Sequence, residues 1–226
     1  MKSKTRSIMQ IVDEQARRWQ LLKQEPKAET VAVSMVTVSR EPGSGGRLIA
    51  KGLAEKLGLD LFHQEVIHEM AESAHVSTRL LDTLDEKGLN TLENWISSLV
   101  DSRHLWPDQY MQHLLKVIGT IGRHGRAVIV GRGANFVLPA DKRLAVRIIA
   151  ARELRIANVS RDFGVSRDEA KRRIMRTEAD RRAFVRKYFY ADIADPLNYE
   201  LVINTGNMAM DQAVEVISCA LQRHIR

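Results

Sequence analysis

A parallel β-sheet covered by helices on both faces is the fold class this sequence predicts, and three observations carry that prediction. Five short apolar runs recur along the chain, they alternate with segments of helical periodicity, and a glycine cluster stands between the first strong run and the helix that follows it. Strands that alternate with helices need long crossovers, so they pair in parallel and leave both faces of the sheet to be covered.

The elements follow in order. From Thr5 to Lys23, Ile8, Ile11, Val12, Trp19 and Leu22 are spaced as on one helix face, and the polar stretch KQEPKAET with Pro26 ends that pattern. The amphipathic stripe either covers the domain or pairs with a second copy of the chain, as in a homodimer. Residues 1–30 are therefore read as helix plus linker, and residues 31–226 as one α/β domain. VAVSMVTV, Val31–Val38, is the first strand; Leu59–Phe62 a short second; AVIVG, Ala127–Gly131, the third; RLAVRIIA, Arg143–Ala150, the fourth; and ELVINT, Glu200–Thr205, the last. Residues 64–125 read as a helical insertion with breaks at Lys87–Gly88 and Pro107, and residues 166–190 as a basic helical segment after the turn Phe163–Gly164–Val165. A closing helix spans Met210–Arg223.

Composition narrows the class. At 44% hydrophobic and 28% charged residues, the chain of 226 residues has the usage of an ordinary globular protein with a full core. It lacks the roughly 18 unbroken apolar residues of a membrane helix, and charges interrupt the first residues where a secretory signal would be apolar, so a cytoplasmic protein is expected. The single cysteine, Cys219, is read as a small buried hydrophobe in a reducing compartment. A net charge of +7, with arginine concentrated between Arg143 and Arg186, favours anionic partners. His63, His68 and His75 lack a tight metal-ligand spacing and an adjoining acidic cluster, so no protein-held zinc site is expected. Trp95, Trp106 and Tyr110 read as core or interface aromatics rather than as a base-stacking platform.

Gly43, Ser44, Gly45 and Gly46 stand where a strand runs into a helix, and Arg47 supplies a cation where that helix begins. Backbone N–H groups at such a junction point at one spot and the helix dipole favours negative charge there, so Gly43–Arg47 is the predicted phosphate-binding loop. The standard pattern G-x-x-x-x-G-K-S/T is kept only at Gly46: Glu41 stands at the first glycine, Arg47 at the lysine and Leu48 at the hydroxyl residue. Arg47 can replace the lysine's charge, whereas Leu48 cannot ligate Mg²⁺.

VTVSREPGSGGRLIAKGLAEKLG resembles the opening of the cytidylate kinase-like family, whose loop reads S-R-E-x-G-S-G-G. VIVGRGANFVLP, RIANVSRDFGVSRDEAKRRI and DPLNYELVINT resemble later family segments in the same order, and the resemblance spans residues 31–222. It implies a P-loop nucleoside-monophosphate kinase-like fold whose insertion binds the acceptor and whose basic helical segment is a closing lid. It also implies transfer of the ATP γ-phosphoryl group to a pyrimidine monophosphate such as CMP or dCMP, with ATP and Mg²⁺ and with nucleotides as partners. Arg132 matches the arginine of the family's G-R-D acceptor motif, while Gly133 stands in place of its Asp. Arg176 and Asp180 resemble the R-x-x-x-D of the family lid, so Arg132, Arg176, Asp180 and Arg181 are the implied acceptor contacts. Arg182 and Arg186 lie four apart on one helix face and, with Arg47, are the implied catalytic cations.

Two other functions fit parts of the pattern. A catalytically weak nucleotide- or phosphate-binding regulator would keep the strand–loop–helix site without the lysine and the hydroxyl. A DNA-binding regulator would use ANVSRDFGVSRDEAKRR as a helix–turn–helix, but the same residues fit the approach to the lid and the β-branched strands need a sheet.

Overall fold

The computed structural model describes residues 7–24 and 35–224; the predicted linker around Pro26 and the predicted start of the first strand, Val31–Ser34, lie outside them. The chain divides into two units. One comprises Gln64–Gly125 with the amino-terminal helix, and the other contains the glycine loop, the sheet and everything after Arg126.

The helical unit holds α1 (Ile8–Gln24), α3 (Gln64–Glu72), α4 (Ala74–Leu81), α5 (Glu86–Ser102) and α6 (Gln109–His124). Each of the last three begins where the sequence offers a cap: Ser73, Asp85 and Asp108 accept from the N–H of Val76, Gly88 and Met111. The break expected at Lys87–Gly88 therefore falls a few residues earlier, because Asp85 caps α5 and places both residues inside its first turn. Leu114, Val117, Ile118 and Ile121 of α6 are wholly buried, as the i, i+3, i+4, i+7 spacing requires of a central helix. The stripe of α1 packs on α3 and α4, with Trp19 stacked on His124 at 3.9 Å between ring centroids. Trp106, at 89% exposure, is no core aromatic.

The sheet unit holds five parallel strands, β1 (Met35–Arg40), β2 (Asp60–Phe62), β3 (Ala127–Val130), β4 (Leu144–Ile149) and β5 (Leu201–Asn204), in the order β2-β3-β1-β4-β5. All five match the predicted runs. β1 is central, so the loop after it opens between the carboxyl ends of β3 and β4, where parallel sheets place their ligands. Alternation along the strands assigns the faces. Val36, Val38, Val146 and Ile148 join one apolar cluster with Ile49 and Leu53 of α2 (Gly46–Leu57) and Ile217 of α10 (Met210–His224). Each such side chain contributes about 1.5–3 kcal/mol by leaving water. Cys219 does not belong to this cluster and is exposed. Buried Ala213, Ile217 and Leu221 recur every four residues, and position 219 falls about 200° round the helix from Ile217. The cysteine's expected burial is thus corrected by helix phase.

The short α7 (Ala134–Val137) follows β3, and α8 (Arg152–Phe163) follows β4. Gly164 ends α8 in the left-handed conformation, Ser166 caps the long α9 (Arg167–Phe189), and Ile156, Val159, Ala170 and Ile174 form the apolar seam between α8 and α9.

Candidate functional site

The glycine loop leaves β1 at Glu41, whose N–H donates to the Ile148 carbonyl at 2.9 Å. Gly43 and Gly45 both take left-handed backbone angles, and Gly45 caps α2 with no side-chain hydrogen bond. The first N–H groups of α2 are therefore not covered by a capping side chain, which is the arrangement an anion needs at a helix amino terminus. Side chains hold the loop from behind. Ser44 Oγ lies 2.9 and 3.2 Å from the Glu41 and Ile148 carbonyls, Thr205 Oγ1 donates to the Ser44 carbonyl at 2.9 Å, and Asn158 Nδ2 donates to the Gly43 carbonyl at 2.8 Å.

Glu41 explains why the first glycine of the standard pattern is missing. Its carboxylate accepts from the Ala150 N–H at 3.1 Å and pairs with Arg155 Nε at 3.3 Å, while the same guanidinium binds Glu178 of α9. Arg155 is buried, and a buried guanidinium is tolerated when carboxylates and carbonyls satisfy it; its Nε also donates to the Ala150 carbonyl at 2.9 Å. The residue replacing a flexible glycine is a clamp from the loop to α8 and α9.

Beside the loop, the carboxyl ends of β1 and β3 open into a small pocket. Arg40, Arg132 and Arg181 line it together with Thr37, Ser39 and Phe184, and no Asp or Glu is among the lining residues. Gly131, Arg132 and Gly133 all have positive φ, and for Arg132, at +53°, that conformation costs about 1–2 kcal/mol. The strained turn aims the arginine across Phe184, with its guanidinium carbon 5.5 Å from the ring centroid. Arg181 Nη1 donates to the Arg40 carbonyl at 2.8 Å, which fixes α9 to the end of β1. Beneath the pocket, buried Arg147 donates to Ser39 Oγ at 2.9 Å and faces the Tyr199 ring at 5.7 Å, and Tyr199 Oη donates to the Ile193 carbonyl at 2.9 Å.

Of the residues singled out in the sequence, the structure brings Arg132 and Arg181 together in this pocket and adds Arg40, which the sequence reading passed over. An arginine closing a strand is unremarkable in sequence; its place directly before E-P-G-S-G-G was the available signal. Arg47 is exposed in the first turn of α2, and Leu48 is 59% exposed. Arg176, Asp180, Arg182 and Arg186 are exposed on α9, and none of them lines the pocket. The loop does not fit a protein-held Mg²⁺: Leu48 offers carbon, the Ser44 hydroxyl faces backbone carbonyls, and the Glu41 carboxylate is taken by Arg155.

Gly133 shows why the family's Asp is missing. A Cβ there would lie 2.1 Å from Phe189 Cε2, and Phe189 stacks on Phe136 at 5.2 Å between centroids. Aromatic packing fills the space a carboxylate would occupy.

Known proteins agree with this architecture. A solved structure of an uncharacterized protein from Eubacterium ventriosum superposes with a TM-score of 0.62 at 20% identity, covering 83% of this chain and 97% of that one, which shows a shared fold. The cytidylate kinase of Ignicoccus hospitalis is 29% identical over 186 residues, 82% of this chain and 97% of the relative. That of Archaeoglobus fulgidus is 28% identical over 193 residues, 83% of this chain and 94% of the relative. The model of the cytidylate kinase-like family matches residues 35–207, from the first described residue of β1 past the end of β5, and the chain belongs to that family.

Proposed function

We propose that this chain transfers the γ-phosphoryl group of ATP to a pyrimidine nucleoside monophosphate, CMP or dCMP. The observation that carries the reading is the convergence of Arg40, Arg132 and Arg181 on one pocket at the strand ends, beside a glycine loop that opens a helix. Relatives of near-equal length that bear the name cytidylate kinase support the choice of acceptor.

In this reaction an oxygen of the acceptor's phosphate attacks the γ-phosphorus, a new P–O bond forms, and the bond to the β,γ-bridging oxygen breaks. The electron pair leaves with ADP, and the ionised acceptor has no proton to lose. The protein's work is then to hold two polyanions in line and to neutralise the oxygens between them. Arg132, on its strained turn, and Arg181 bind the acceptor phosphate. The glycine loop and Arg47 at the amino end of α2 take the triphosphate. Arg176 and Asp180 meet the acceptor, and Arg182 and Arg186 the transferring group, only once α9 closes; at present none of these four makes a side-chain hydrogen bond or ion pair among the described residues. Mg²⁺ enters with ATP rather than on a protein ligand.

The test is a screen of the common ribo- and deoxyribonucleoside monophosphates with ATP and MgCl₂, reading ADP and diphosphate formation. CMP or dCMP should exceed every purine acceptor in kcat/KM by about tenfold or more. ATP binding without transfer to any acceptor would replace this reading with that of a nucleotide-binding regulator.

A further inference from the structure

We infer that Arg40 is the inner cation of the nucleotide site, taking the place of the lysine that the loop lacks and touching the β- and γ-phosphates of the bound triphosphate. The inference rests on the phosphoryl-transfer reading and adds a residue to it.

Three observations place Arg40 there. It ends β1, one residue before the loop begins, and lines the arginine pocket although the residue as a whole is 6% exposed. Its stem packs under the loop: a Cβ on Gly46 would lie 2.5 Å from Arg40 Cβ and 3.0 Å from Arg40 Cγ, so position 46 has to be glycine for α2 to start against this side chain. Its carbonyl is held by Arg181, which sets two guanidinium groups from different elements on one pocket. Arg47, the cation next to the glycines in sequence, is exposed and absent from the pocket lining.

Thr37 points independently to a ligand. It is 2% exposed and lines the same pocket, yet its Oγ1 has no hydrogen-bond partner among the described residues. A buried hydroxyl left so costs about 1–3 kcal/mol unless something enters to bind it, and a phosphate oxygen can. A guanidinium suits the task because its planar fork meets two phosphate oxygens at once and stays charged at any working pH.

Arg40→Met tests this while keeping the stem that packs beneath Gly46. ATP and inorganic pyrophosphate binding are measured by calorimetry in the parent, Arg40→Met, Arg40→Lys and Arg47→Ala, beside thermal unfolding. Arg40→Met is expected to fold and to lose about tenfold or more in affinity for both ligands, with Arg40→Lys recovering part of the loss and Arg47→Ala losing less than Arg40→Met. Single-turnover transfer should fall by about 10²–10³ in Arg40→Met. A folded Arg40→Met that binds both ligands like the parent overturns the inference. So does an Arg47→Ala loss larger than that of Arg40→Met, or a failure of Arg40→Lys to bind better than Arg40→Met. Should Arg40→Met not fold, Arg40→Lys alone decides, because undiminished affinity and turnover in it would contradict the forked contact. A parent that binds ATP but transfers to no monophosphate sinks the kinase reading and leaves the binding comparison to judge Arg40; a parent that binds neither ligand sinks both.

Discussion

The two halves of α9 are both rich in arginine, but their arginines meet different partners. In the first half, Arg172 and Arg173 both bind the half-buried Glu169, at 2.8 and 2.9 Å, and Arg167 binds Glu153 at 2.6 Å, with all three arginines exposed. In the second half, Arg181 reaches the Arg40 carbonyl, Phe184 lies under Arg132, and Val185 and Phe189 are buried. Arginine count therefore says little about function. What separates the halves is whether the partner is a surface acid, on α9 itself or on the neighbouring α8, or whether it comes from a strand end far along the chain.

The largest effect expected from breaking this contrast is on turnover. Arg181→Ala removes a guanidinium from the pocket and should lower single-turnover transfer by about 10²–10³, whereas Arg172→Ala should leave it within about twofold. Rapid-quench transfer from labelled ATP, with thermal unfolding of each variant, makes the comparison. Equal losses in the two variants would mean that α9 acts through its overall charge.

Next in size is a packing effect at the end of the second half. Gly133 has φ +67° and no room for a Cβ beside Phe189. Gly133→Ala combines an overpacked contact with a strained backbone, so a loss of about 2–4 kcal/mol is expected in urea unfolding. Phe189→Ala in the same chain should remove the clash and leave only the backbone cost, so the double variant should lose less than the two single losses added together. Simple additivity would show that Phe189 does not set the choice of glycine.

The contrast also marks what could be read from sequence. All five strands and the loop were legible because β-branched runs and a glycine cluster are local signals: Ala127–Val130 or Gly43–Gly46 can be recognised without knowing what packs on them. Arg132 stood in a family motif and Arg181 directly after one, and both line the pocket. Arg40 stands in the S-R-E of the family loop, yet an arginine ending a strand has no period or spacing that foretells a pocket. Nor was the reason for Gly133 legible, since its neighbour Phe189 lies at the far end of α9, beyond any window over which periodicity can be counted. Glu41 was read as a defect in a loop pattern, and its use became visible only with Arg155 folded against it. Pairings remote in sequence are set by topology, and a local pattern carries no record of them.

The smallest effect belongs to the first half of α9. The hydrogen bonds from Arg173, then from Arg172, hold the Glu169 carboxyl below the ordinary carboxylate range, and both side chains reach it in open solvent. A carboxylate whose folded pKa is depressed contributes stability that is fully present above its unfolded value and is lost as pH falls through the folded one. Glu169→Gln should therefore melt about 1 °C or less below the parent at neutral pH, with the gap closing in acid and narrowing as salt screens the pair. Calorimetric scans of both proteins across the carboxylate range, at low and at high NaCl, measure it. A gap that persisted undiminished in acid would have to come from the cap or the packing of α9 instead of the ion pairs, and the first half would then be more than the solvated face this comparison makes it.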